Sequence, residues 1–411
     1  MDKNALIPHL FRNEYSRIVA VLAKIFGFDQ IEIAEDVASE TFLTATQTWG
    51  IEGIPANPTA WLYQVAKNKA INYLKRDTHF KTKVIQELIF QTPVSSEPEI
   101  DLSEKNIRDS VLHMMFAICH PSLSGEAQIS LSLRLLCGFG IDEIAAAFLV
   151  GKETIHKRLY RAKEKLRDEG ISLDVAGDTE IENRLTTVLT TIYLLFNEGY
   201  YSISQDKTIR KDLCLEAIRL CSLLIENQHT NLPEVNALMA LMCFHISRFE
   251  ARTDNNGELI LYEDQDTSLW NTDWIHKGGY FLDQASQGQK ISKFHLEAGI
   301  AYWHTQKTDD KAKWEAILQL YNQLLQLEYS PVAALNRSYA YSRVVGPENK
   351  LKAISEAKKL NLTDNQFYFA LLGELYTGID PDTAKSNYLQ ALDLARTPTH
   401  KLAIQKKIDK L

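Results

Sequence analysis

The chain has little of what marks a secreted, membrane-bound or metal-binding protein. Only five of its 411 residues are cysteine: Cys119, Cys137, Cys214, Cys221 and Cys243. None forms a CxxC pair and all sit in apolar helical contexts, so buried free thiols are expected rather than disulfides or zinc. His113 and His120 flank Cys119, but their spacing and the missing fourth ligand speak against a metal site. No run of eighteen apolar residues is present, so nothing is long enough to span a membrane. The opening MDKNALIPHLFRNEYSR lacks the apolar core of a secretory signal, and a cytoplasmic protein is expected. Glycine-rich phosphate loops, metal-ligand clusters and nucleophile–base–orienter sets are also missing, which argues against an enzyme and against a cofactor.

Positive charge is the scarcer sign, with a net charge of -8. Against that background one stretch stands out. Leu133 to Arg167 reads as a helix, a turn at Val150 and Gly151, and a basic second helix. Ile141, Ile144, Ala145 and Phe148 give the first helix an apolar face. Ile155, Leu159, Ala162 and Leu166 repeat at three- and four-residue spacing on the second. From Lys152 to Arg167 seven basic residues face two acidic ones, a net of +5. Lys152, His156, Lys157, Arg158, Tyr160, Arg161, Lys163 and Lys165 fall opposite the apolar stripe. This is the layout of a helix-turn-helix whose second helix enters the major groove of DNA.

The rest of the chain also reads as helical, so the expected fold class is all-α. Residues 92 to 106, TPVSSEPEIDLSEKN, hold two prolines, three serines and four acids to one lysine, the composition of a linker. The divisions expected are 1–91, the acidic linker 92–106, the helix-turn-helix unit 107–170, a helical extension 181–300 and helical repeats over 301–411. The repeats rest on 333–358 and 370–395, offset by about 37 residues, near the ~34 of a tetratricopeptide repeat. Leu372, Gly373, Tyr376, Ala384, Tyr388, Ala391 and Pro398 follow its pattern, and Trp314, Leu318 and Tyr321 open an earlier copy. Generic helical hairpins are the alternative. In 251–271, Asn256 and Gly257 signal a turn beside Leu259, Ile260 and Leu261, consistent with a hairpin or structured loop. Asp264 and Asp266 there are candidate ligands of a small molecule or metal, although carboxylates on loops more often cap helices.

A second cluster lies nearer the start. AEDVASETFLTATQTW, 34–49, sets Asp36, Glu40 and Phe42 on one helix. WLYQVAKNKAINYLKRDTHFKTK, 61–83, interleaves Lys67, Lys69, Lys75, Arg76, Lys81 and Lys83 with Trp61, Tyr63 and Tyr73. Basic residues neutralise phosphates and aromatics stack on unpaired bases, although a solvated amphipathic helix with core aromatics has the same composition.

The order and spacing of these three motifs, over residues 9–170, resemble a bacterial RNA polymerase sigma factor. The group they resemble is the extracytoplasmic-function (ECF) group of the sigma-70 family, which keeps regions 2 and 4. The long tail is similar to a subgroup with a C-terminal tetratricopeptide-like extension. The resemblance there rests on Ile192–Tyr200, on FEARTDNNGELILYEDQDTSLW and on the repeats. It implies that the helix 31–49 docks on the polymerase β′ clamp through Asp36, Glu40 and Phe42. It assigns −10 promoter contacts to Asn57, Trp61, Tyr63, Lys67, Asn68, Asn72, Lys75 and Arg76, with loop 50–58 receiving a flipped base. It assigns −35 contacts to Lys152, Thr154, His156, Lys157, Arg158, Tyr160, Arg161 and Lys163. The implied partners are the core polymerase (β′ clamp and β flap) and promoter DNA, with a protein partner or small ligand at the C-terminal domain, and no membrane. The competing reading is a helix-turn-helix regulator with a sensory or scaffolding tail, which leaves the 34–49 motif and the region of Trp61 without a task.

Overall fold

The computed structural model describes residues 3–76, 100–171, 173, 178–201, 207–252, 260, 262–345, 350–395 and 398–411. The fold is all-α: every regular element among these residues is a helix. The chain divides into two compact units, 1–198 and 199–411. Among the described residues no helix is long and apolar enough to cross a membrane, and no group of His, Cys, Asp or Glu is placed to hold a metal ion. All five cysteines are free and buried, as expected.

The first unit is built on α1 (Lys3–Phe26), whose Tyr15, Ile18, Val19 and Leu22 are at most 1% exposed. It packs on α2 (Ile31–Glu52) and α4 (Glu104–Ile118). Gly27 separates α1 from α2 at φ 87, a left-handed value that suits glycine. Helix α2 runs three residues into the expected 50–58 loop, so the connection to α3 (Pro58–Arg76) begins at Gly53, φ 89. Asn57 caps α3 by accepting from the Ala60 N–H at 3.0 Å. Pro58 follows at the first helical position, where its missing N–H costs nothing.

Helix α4 starts at a Ser103 cap and α5 (Gly125–Leu131) at a Ser124 cap. A π turn over Ser132–Leu136 follows and carries Arg134. Helix α6 (Ile141–Ala147) begins with Glu143 reaching back to the Gly140 N–H at 2.8 Å. The chain then turns through Leu149 (φ 52) into α7 (Lys152–Asp168), which ends at Gly170, φ 63. Helix α8 (Asp178–Tyr201) buries Leu185, Val188, Leu189, Ile192 and Leu195, and its Thr191 hydroxyl donates to Gln128 Oε1 of α5 at 3.0 Å. The two helical segments expected on either side of the 92–106 linker thus lie in one compact unit.

The second unit is centred on α10 (Pro233–Ile246), in which Val235 to Phe244 are all buried. Around it pack α9 (Lys207–Glu226), α11 (Thr272–Ala285) and α12 (Lys293–Thr305). Gly278 makes the α10–α11 approach possible, since a Cβ there would stand 2.6 Å from the Phe244 ring. From α12 on, each helix packs on the next: α13 (Lys311–Leu327), α14 (Pro331–Val345), α15 (Lys350–Lys359), α16 (Gln366–Tyr376), α17 (Pro381–Leu394) and α18 (Pro398–Ile408). Asp310, Asn365 and Asp380 cap three of these helices. Asn256, Gly257, Leu259 and Leu261 of the expected hairpin lie outside the described residues. The described part of that segment is a series of short 3-10 turns, and Asp266 caps the one over Thr267–Leu269.

Candidate nucleic-acid interface

Helix α7 presents two very different faces. Ile155, Leu159, Ala162 and Leu166 point inward and are no more than 6% exposed, as their spacing predicts. Lys152, Thr154, His156, Lys157, Tyr160 and Arg161 are exposed along the other side. Two residues expected on that open face are not on it. The Arg158 guanidinium lies 5.1 Å from the Phe148 ring, binds Glu126 Oε2 at 2.6 Å and reaches Ser130 Oγ at 3.4 Å. Lys163 turns under the helix to Glu35 of α2. Both flank the apolar stripe closely enough for neighbouring helices to capture them.

On α3 the exposed residues form a stripe at three- and four-residue spacing: Asn57, Ala60, Gln64, Asn68, Asn72 and Lys75. The Gln64 amide donates to Asn68 Oδ1 at 3.1 Å, which orients both side chains outward. Lys67 borders the stripe, half-buried. The aromatic members of the motif do something else. Trp61 packs edge-on against Trp49, centroids 5.3 Å apart. Tyr63 donates to Glu14 at 2.8 Å, and burial beside that carboxylate pushes its pKa well up. Both rings thus take part in packing, the second of the two readings that the composition left open. Arg76 closes α3, and its side chain lies outside the described residues, as do Lys81 and Lys83.

An open cleft of about 860 Å³ runs beside the stripe, bordered by Asn57, Tyr63, Gln64 and Lys67 on one side and by Asp101 and Glu104 on the other. The Asp101 carboxyl is held below the usual range by hydrogen bonds from Ser103. The end of the acidic segment therefore sets negative charge opposite Lys67. Sequence reasoning missed Gln64, although its place four residues before Asn68 was a usable signal.

On α2, Asp36 and Glu40 are exposed one turn apart, as expected. Partial burial, then the nearby Glu35 and Glu40 carboxylates, raise the Asp36 pKa. Glu40 pairs with Lys69 of α3 at 3.3 Å. Phe42 is 4% exposed and packs edge-on against Phe11 at 4.9 Å, so it seats the helix and offers no surface contact.

The feature sequence reasoning overlooked is Glu35. It is 8% exposed on the buried face of α2. It accepts from Arg134 Nε at 3.0 Å and from Lys163 Nζ. Arg134 also donates to Phe139 O at 3.3 Å and Tyr15 Oη at 3.4 Å. Burial, reinforced by Glu35, pushes the Tyr15 pKa to about 12, so the hydroxyl stays protonated. One turn further along α7, Arg167 pairs with Glu32 at 2.9 Å. This clasp ties α7 to α2, the helix bearing Asp36 and Glu40. Its sequence signal was a charged residue within the apolar series Ile31, Ala34, Ala38, Phe42.

Known proteins resemble both units. Residues 10–80 match the sigma-70 region 2 family, and residues 184–286 match a family of unknown function, DUF6596. An uncharacterized protein of Rhizobium meliloti (strain 1021) is 32% identical over 402 residues, covering 96% of this chain and 94% of its own length. The chain belongs to that protein's family and carries a sigma-70 region 2 near its N-terminal end. No solved structure matches the chain. The region 2 match takes in α1, α2 and α3, and so covers Asp36, Glu40 and the α3 stripe. It stops short of α6 and α7.

Proposed function

We propose that the chain is an RNA polymerase sigma factor of the ECF group. Region 2 docks on core polymerase through Asp36 and Glu40. The α3 stripe from Asn57 to Lys75 meets the −10 element. The exposed face of α7, with Lys152, Thr154, His156, Lys157, Tyr160 and Arg161, meets the −35 element. The observation that carries this reading is the region 2 match, whose α3 bears a continuous polar stripe in the same compact unit as a basic helix-turn-helix. The second unit, with its tetratricopeptide-like succession of paired helices, regulates promoter output in cis.

Run-off transcription with core polymerase and a promoter from upstream of the chain's own gene tests the reading. Specific transcripts are expected only when the protein is added. The double change Asp36→Lys with Glu40→Lys leaves the fold intact, because both side chains are exposed, and weakens core binding tenfold or more, about 1.4 kcal/mol. Wild-type co-purification with core polymerase by the double variant would overturn the docking assignment. Promoter binding with no core binding at all would favour the competing regulator. The truncation that tests the tail ends near Glu198 rather than Asp168, since α8 contributes core residues to the first unit. A several-fold change in output is expected; unchanged output makes the tail an independent module.

A further inference from the structure

The stacked helices of the second unit border a cavity of about 310 Å³. Part of its wall is a row of rings. Tyr262 lies 4.9 Å from His304, His304 5.9 Å from Trp314, and Trp314 5.6 Å from Tyr339, centroid to centroid. All four line the cavity, and Glu263, Glu374 and Lys407 are its charged walls. These residues come from the Tyr262–Asp264 turn and from α12, α13, α14, α16 and α18, so only the folded unit brings them together. The row is fixed before any ligand arrives. Tyr262 donates to His304 O at 2.9 Å and accepts from Lys313 Nζ at 3.2 Å, and Trp314 Nε1 donates to Asp309 at 2.6 Å.

The charged walls decide what the cavity suits. Glu263 meets the protein through Oε1, which accepts from the Tyr339 hydroxyl and lies 3.6 Å from Arg343 Nη1. Glu374 meets it through Oε2, which accepts from the Tyr388 hydroxyl at 2.9 Å and from Lys407 Nζ at 3.0 Å. Among the described residues the second oxygen of each carboxylate has no such partner and is left to solvent or ligand. The cations close by are committed: Arg343 to Asp309, Lys313 to Gln306 O at 2.8 Å, and Lys407 to Glu374. His304 adds no positive charge, because burial pushes its pKa down to about 3.

An anion would meet two carboxylates here. An uncharged apolar guest would displace their water without replacing its hydrogen bonds, which costs free energy. A ligand ammonium replaces those bonds with charge-assisted ones, and the rings offer contact area to the body that carries it. The volume lies at the lower end of ordinary small-molecule sites, about 300–1,000 Å³. We propose that the cavity binds a small organic amine, a protonated amino group on an aromatic or apolar body. Glu263 and Glu374 supply the countercharge, and the row of rings supplies the surface for the body. Asp264 and Asp266, which drew attention in the sequence, are not among the walls; Asp266 serves as a cap, accepting from the Ser268 N–H at 2.8 Å. The site lies within the second unit, and its test is independent of the sigma-factor reading.

Thermal unfolding of the full chain at neutral pH with three probes that share one ring tests this. Phenethylamine is cationic, 2-phenylethanol neutral and phenylacetate anionic. Phenethylamine hydrochloride is expected to raise the midpoint above that in equimolar sodium chloride, increasingly with concentration, while the other two leave it nearly unchanged. Glu263→Gln keeps an acceptor for the Tyr339 hydroxyl, sits on a half-exposed side chain and should fold. It is expected to weaken the apparent affinity for phenethylamine about tenfold or more, since a charge-assisted pair becomes a neutral one. Glu374→Gln should act in the same direction, and Asp382→Asn, an exposed carboxylate of α17 outside the cavity, should leave the response intact. Equal midpoint shifts with phenethylamine and 2-phenylethanol would overturn the proposal, because the ring alone would then account for binding. So would a larger shift with phenylacetate, no shift with millimolar phenethylamine, or equal amine responses in the wild type and both glutamine variants.

Discussion

The two units differ in how they combine long-range ties with neighbour stacking, the second keeping a few ties such as Glu263 with Arg343 beside a run of stacked helices. In the first, side chains far apart in sequence meet across helices: Glu35 with Arg134 and Lys163, Glu32 with Arg167, Glu14 with Tyr63. In the second, from α12 onward, each helix leans on the next in sequence. Long-range ion pairs make a unit cooperative, because each joins elements that would otherwise move separately. Nearest-neighbour stacking spreads stability along a line, so damage stays local. The difference suits a first unit that must present two faces in register and a second that can adjust piecemeal.

The largest expected effect tests the cooperative half. Glu35→Ala leaves Arg134 and Lys163 facing each other in a largely buried site, and removing one member of such a set costs about 3–5 kcal/mol. Chemical denaturation should show the first unit losing its transition midpoint as a whole while the second is unchanged. A small or purely local loss would mean the clasp is not what unites that unit. Next comes Gly373→Ala. A Cβ there would stand 2.8 Å from the Tyr388 ring, and overpacking of this kind costs about 1–3 kcal/mol. Hydrogen exchange should increase over α16 and α17 and remain near wild type at α10. A uniform increase across the second unit would break the contrast.

The arginines three apart on α7 give a finer test. Arg161 is exposed, so under the proposed function Arg161→Ala should cost promoter binding about 1–3 kcal/mol if the contact is bidentate, with stability unchanged. Arg158 is already bound to Glu126 and Phe148, so Arg158→Ala should cost about 0.5–1 kcal/mol of stability and alter promoter preference less. Promoter-binding titrations beside melting curves distinguish the two; matching losses of affinity would refute the division of the face.

A further effect is one of pH. His304 takes up its proton near pH 3 in the folded chain, against 6.5 ordinarily, because burial disfavours the charged ring. His245 shifts the same way. The folded state therefore favours the neutral rings. That stability is fully present above about pH 6.5 and is lost as the pH falls toward 3. Urea midpoints at pH 7.5 and 5.5 should fall more for the second unit than for the first, and His304→Phe should reduce the difference.

Much of this was legible in the sequence where the determinant is local. The apolar stripe of α7, the buried thiols and the exposure of Asp36 and Glu40 follow from spacing and chemistry within one helix, whereas the turn expected at Val150 and Gly151 falls at Leu149, with Gly151 capping α7. What escaped was the choice made by neighbours. Phe42, Trp61, Tyr63, Arg158 and Lys163 all lie near the boundary between the two sides of a helix. Which side claims each depends on an element far away in the chain, and periodicity carries no information about that. Glu35 escaped for the same reason: its partners lie 99 and 128 residues away.

The Glu35 clasp also constrains how this chain can drift. A single replacement of Glu35 strands two cations, while replacement of Arg134 or Lys163 leaves one cation to balance the carboxylate. The two cationic positions can therefore change one at a time, Arg for Lys or either for a neutral donor. The acidic position can change only after at least one cation has gone. Sequences of this family should accordingly vary at 134 and 163 in an order that 35 follows, with an apolar trio as the one fully stable alternative to the charged set.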